Sequence, residues 1–216
     1  MPTSTSLPGF DRLIAICQQH GLPCELYPPL ASATELKEFI SGEPLDPQLA
    51  AMYQRIGGAE LGPLSIYRPD LEWNGLVPNN MDLRQHGFTP FLASFIFAKE
   101  IGFSWFFATV PKIADSQGLQ PIVYIDFMDS LTTAPVASSV DRFFDAYSRY
   151  LELMVVDPGY IHSKVSEVCF PWGVPQLIAR DEPLLEQVRA GRFDFLTEED
   201  ESGRRWTQRL TEGHFE

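Results

Sequence analysis

Apolar residues along this chain recur with two periods, about 3.6 and about 2, and each change of period marks an expected element. In "LPGFDRLIAICQQHG", Phe10, Leu13, Ile14 and Cys17 fall at i, i+3, i+4 and i+7. Pro8 suits a first turn and Gly21 a C-cap, so the stretch predicts a helix. "LPCELYPPL" follows as an extended path, and "SATELKEFISG" reads as a short helix with Ser32 or Thr34 as cap and Gly42 as stop. "LDPQLAAMYQRIGG" repeats the grammar: Asp46 caps, Pro47 takes the first helical position, and Leu49, Met52, Tyr53 and Ile56 form the buried stripe. Gly57 or Gly58 ends it.

Shorter periods come next. "PLSIYRP" predicts a brief strand and "DLEWNGLVPNNMDLRQHG" a turn-rich connector. "FLASFIFA" and "FSWFFATV" read as aromatic strands joined by the turn "KEIG", and "PIVYIDFMD" as another strand, with Ile122, Tyr124 and Phe127 among its packing residues. Strands linked by short turns imply an antiparallel meander. "APVASSVDRFFDAYSRYLELMV" then returns to the helical period, with Val140, Phe143, Phe144, Tyr147, Tyr150, Leu151 and Met154 on one broad face. Ser138 or Ser139 can cap it, and the aromatic sheet is the surface it must cover. Beyond it lie a loop-rich stretch, a helix near 183–190, the acidic patch "TEEDESG" and a helical "RRWTQRL".

This order resembles the SUKH superfamily, which includes fungal cell-wall-synthesis regulators and bacterial immunity proteins that neutralise toxins. The family's "P-x-x-Y/L-x-x-x-Y-x-x-x-GG" helix is matched by 47–58. Its paired strands around a glycine turn are matched by "FLASFIFAKEIGFSWFFA", its strand ending in an acid by "PIVYIDFMD", and its "small-x-S-hydrophobic-x-x-F" helix start by 137–143. The likeness covers about 33–155. The tryptophan often found beside the family's glycine turn is not at the matching place, and the last 60 residues carry no element of the pattern. The resemblance implies an α+β fold, a mainly antiparallel sheet with helices packed against it, and binding rather than catalysis. The whole chain, 1–216, is expected to form a single domain, with 156–216 as an elaboration.

Composition sharpens the choice of partner. The chain has 216 residues, a formal charge of −13 and 44% hydrophobic residues, enough for one substantial core. The charge is shared, −5 in residues 1–108 and −8 in 109–216. A polyanionic partner, whether nucleic acid or anionic membrane, is therefore disfavoured, and a basic protein fits better. The N-terminus lacks a basic segment before a continuous apolar run, which predicts a cytoplasmic chain, and three cysteines suit a reducing compartment.

Motifs for chemistry are few. Gly57 to Gly62 has the spacing of a phosphate loop, but Pro63 and Leu64 stand where lysine and a hydroxyl are needed, and Glu60 would repel phosphate. Cys17, His20 and Cys24 could approach a zinc ion with Cys169 or His162, yet Cys17 sits on an apolar stripe and no C-x-x-C pair exists. Asp126 and Asp129 end a strand without a histidine or lysine nearby in sequence. No catalytic residue, cofactor or metal is expected, and an uncharacterised hydrolase is the third reading after an immunity protein and a regulatory or scaffolding module. The candidate contacts for a toxin with a basic groove are the acidic run Glu198, Glu199, Asp200 and Glu201, the acids Asp126 and Asp129, and Trp73, Trp172 and Trp206 as aromatic anchors. Trp105, within a strand, is expected in the core.

Overall fold

A computed structural model describes residues 6–29, 44–128, 131–197 and 200–213. Its centre is a seven-stranded antiparallel sheet in which spatial order equals chain order. The strands are β1 (Cys24–Leu26), β2 (Ala59–Leu61), β3 (Leu64–Ile66), β4 (Phe95–Glu100), β5 (Trp105–Thr109), β6 (Ile122–Asp126) and β7 (Thr132–Ala137). Four of these extend the expected picture. "LPCELYPPL" contributes β1, a short strand precedes Gly62, "KE" belongs to β4 and not to the turn, and "TTAPVA" is a strand before the long helix begins. Such an α+β meander is the expected class.

The first helix, α1 (Pro8–Gln19), buries Phe10, Leu13, Ile16 and Cys17. α2 (Pro47–Arg55) is capped by Asp46, whose carboxylate accepts from the backbone N–H of Gln48 and Leu49 at 2.8 and 2.9 Å. Ile56 turns into extended backbone, and Gly58 follows at φ +130°, where a Cβ would press on Arg68 and the Ile66 carbonyl. The expected connector holds two helices, α3 (Leu76–Gln85) and α4 (Thr89–Ala93), so "FLA" belongs to a helix and not a strand. Buried Asn80 makes this possible. Its amide accepts from the Ile96 N–H and donates to the Ile96 and Leu76 carbonyls, tying α3 to β4 with every polar atom engaged. The predicted helix in "SATELKEFISG" lies outside the described residues.

α5 (Val140–Val156), capped by the Ser139 hydroxyl, lays its whole predicted stripe on the sheet. Phe143 meets Phe97 and Phe107, and Tyr147 meets Phe107. Because side chains alternate along β5, Phe106 points the other way, where Phe91 of α4 packs edge-on to it. The sheet is thus covered on both faces. α1 crosses α5 so closely that a Cβ on Gly9 would sit 2.1 Å from the Asp141 carbonyl oxygen. Asp141 accepts from the Gly9 N–H at 2.8 Å, and Phe10 packs on Phe144.

Four short helices complete the chain: α6 (Pro158–Ser163), α7 (Pro175–Ile178), α8 (Glu182–Arg189) and α9 (Asp194–Thr197), followed by α10 (Glu201–Glu212). α6 and α7 pack on α5, and α8, α9 and α10 cover β7. The Thr133 N–H donates to Asp200 at 2.6 Å, the Trp206 indole donates to the Pro135 carbonyl at 2.8 Å, and the Ser138 N–H donates to Asp181 at 2.7 Å. Pro135 has no N–H to offer, so this edge presents little for another strand to pair with.

Candidate functional site

The expected contact residues separate in space. Trp73, in the turn before α3, is 83% exposed and free to touch a partner. Trp206 is a correction: at 1% exposure, with its indole N–H spent on Pro135, it is a core residue and not a surface anchor. The period of α10 explains this, since Gly203, Trp206 and Leu210 form its buried stripe. Trp172 is half-buried and packs perpendicular to Trp206 at 5.0 Å and to Tyr124 at 6.0 Å. Asp200 is another correction. Its two oxygens hold the Gly203 and Thr133 N–H groups, so it caps α10 and pins β7. Glu201 is exposed and pairs with Arg205 one turn on, while Glu198, Glu199 and Asp129 lie outside the described residues. Asp126 accepts from the Met128 N–H at 2.9 Å, closing the strand exit. Asp126, Trp172 and Trp206 do come together, around a shallow hollow of about 390 Å³ shared with Arg205 and Arg209. With two arginines on its wall, that hollow does not match a cationic groove.

A second cavity, of about 520 Å³, was not anticipated. It opens at one end of the sheet, between the β2–β3 turn at Gly62 and Pro63, the β4–β5 turn at Ile101 and Phe103, the C-terminal half of α5, and the segment 160–169. Gly62 makes the first turn at φ +61° beside the Leu151 side chain, and Gly102 makes the second at φ +86°. The rim is apolar and open to solvent: Ile101, Phe103 and Val165 are all exposed.

Glu100, the last residue of β4, lines this cavity and is 4% exposed. It faces α5, where the Tyr147 hydroxyl donates to its Oε1 at 2.9 Å. Among the described residues no Lys or Arg pairs with it. Burial pushes the Glu100 carboxyl up to about 7, against the opposing pull of the Tyr147 hydrogen bond. Trp105 stands across the hairpin. The β4–β5 ladder closes with Lys99 opposite Phe106, so Glu100 and Trp105 are cross-strand neighbours one step further on. By alternation Trp105 shares the α5 side with Phe107, which corrects its expected place in the core: it is half-buried, stacked at 4.0 Å on exposed Phe103. Its indole nitrogen is nevertheless buried and has no hydrogen-bond partner among the described residues.

Tyr150, Met154, Tyr160 and half-buried Cys169 complete the walls, and the Lys164 ammonium lies 5.1 Å over the Tyr160 ring at the rim. Burial raises the Cys169 thiol, which disfavours a reactive thiolate. Sequence reasoning missed this site because "KEIG" has the polarity of a turn. The available signal was the tyrosines in the α5 stripe, since a buried phenol demands a polar partner.

Elsewhere the polar motifs have structural explanations. Glu60 accepts from the Ser65 hydroxyl at 2.8 Å across the β2–β3 hairpin. Cys17 is buried, its thiol pushed up to about 12 by desolvation, while His20 is exposed. Among the described residues no group of three or more His, Cys, Asp and Glu side chains is gathered for a metal ion. No described helix is long and apolar enough to cross a membrane. Compared with family models, curated proteins and solved structures, the chain finds no match.

Proposed function

We propose that this chain is a cytoplasmic immunity protein of the SUKH type, which binds a cognate toxin and occludes its active site or substrate groove without catalysis. The observation that carries the reading is the ordered set of landmarks on which the resemblance rests. The helix closed by Gly57 and Gly58, the strand pair around Gly102, the strand ending at Asp126 and the helix opened by Ser139 occur in one meander with α5 laid across it. Charge supports the choice of partner. At −13, the protein attracts a basic surface such as a nuclease groove, and Trp73 offers an aromatic anchor that costs the fold nothing to commit.

The test is co-expression with a toxin-domain protein encoded beside its gene. Host survival together with a stable purified complex is the expected result. Persistent toxicity with no complex overturns the proposal. A neighbourhood without any toxin domain favours the regulatory or scaffolding module.

A further inference from the structure

We propose that the cavity at the end of the sheet is a binding site for a small apolar group carrying an ammonium, as in an amino-acid amide or a peptide N-terminus, with the ammonium on Glu100 and the apolar group against Trp105. This assignment concerns the chain alone and does not rest on the toxin-binding reading.

Three features lead to it. Glu100 is a buried carboxyl group with a single hydrogen bond, from Tyr147, and no cation among the described residues. A carboxylate so placed is stabilised strongly by a cation that enters beside it. Second, Trp105 lines the cavity one cross-strand step from that carboxyl group, on the same side of the sheet, and sets an apolar surface beside the charge. The two residues together ask for a ligand with a cation beside an apolar group. Third, the walls are Phe103, Trp105, Tyr150, Met154 and Tyr160, which accommodate an apolar side chain and offer aromatic faces to a cation. A volume of about 520 Å³ exceeds what a phenylalanine-sized body fills, and the exposed rim leaves a path for chain beyond the carbonyl. Lys164, already over the Tyr160 ring at that rim, repels a second cation there and so favours ligands with their charge at the inner end.

The experiment uses the full chain and phenylalaninamide, with 3-phenylpropanamide as the partner lacking the ammonium. Binding is read by calorimetry and by the indole N–H resonance of Trp105, identified as the signal lost in Trp105→Phe. Phenylalaninamide is expected to bind and shift that resonance, and 3-phenylpropanamide and the Glu100→Gln variant to bind at least about ten-fold more weakly. Because the Glu100 carboxyl titrates at about 7, affinity is expected to fall about ten-fold for each pH unit below that value. A phenylalanine-led tripeptide and its N-acetylated form separate the two sources. Tripeptide binding equal to the amide identifies a chain end, and binding of the amide alone identifies a free small molecule. Equal binding of both amides, indifference to Glu100→Gln, or an unmoved Trp105 resonance each overturns the proposal, and none of these outcomes bears on whether a toxin is bound.

Discussion

At the scale of single residues, Glu100 is the position where stability and a site compete. Its carboxyl group has a folded-state pKa near 7, above the 4.5 of an ordinary glutamate, so the native chain holds the proton more tightly than the unfolded one. Its contribution is therefore favourable at low pH and is lost as pH rises from about 4.5 through 7. Glu100→Gln keeps an acceptor for Tyr147 and removes the charge. The variant is expected to be more stable than the parent by roughly 3 kcal/mol at pH 8, and nearly equal to it near pH 4. Urea titrations across that range check this, and parallel curves for the two proteins would show that the carboxyl group does not titrate as described. Aspartates behave differently. Asp46, Asp181 and Asp200 each cap a helix while holding a distant backbone N–H, of Gln120, Ser138 and Thr133 respectively. Sequence periodicity places Asp46 as a cap correctly, but it cannot supply the second bond, which depends on a segment 74 residues away.

At the scale of elements, the stripes of α1, α2 and α5 were legible because each packs one face and leaves the other wet. α3 and β7 were not. α3 contains Pro78 and a pair of asparagines, poor helix formers whose cost is met by the two bonds Asn80 makes with Ile96, accepting from its N–H and donating to its carbonyl. β7 contains Pro135 and reads as a loop until α10 is placed beside its edge, where the missing N–H does no harm. The site was illegible for a related reason: Glu100 and Trp105 are recognisable only once the register of β4 and β5 puts them side by side. Removing α10 by ending the chain after Thr197 uncovers that edge and the Trp206 footprint on β7. Such a truncated protein is expected to self-associate, read as a concentration-dependent shift in sedimentation, and an unchanged monomer would show that α10 does not protect the strand.

At the scale of the whole molecule, the charge of −13 acts before any contact forms. If the partner is basic, association is steered, and the on-rate is expected to drop by about ten-fold or more between low and physiological salt while dissociation changes little. Stopped-flow measurements at several ionic strengths separate the two, and a salt-independent on-rate excludes steering. Composition made this property legible without any fold, since net charge needs no geometry.

The close crossing of α1 over α5 has a consequence for the order in which the protein can be made. Among the described residues all seven strands pair with neighbours in sequence, so the sheet can zip together as the chain leaves the ribosome. α1 cannot follow that order. Its Gly9 and Phe10 N–H groups are held by Asp141, 132 and 131 residues later, and its Arg12 reaches Ser148 and Glu152. α1, synthesised well over a hundred residues before its partner side chains on α5, therefore waits with much of its apolar stripe unmet until the covering helix emerges. At about 5–20 residues per second that is an interval on the order of ten seconds, in which the apolar face of α1 is open to a nascent-chain chaperone.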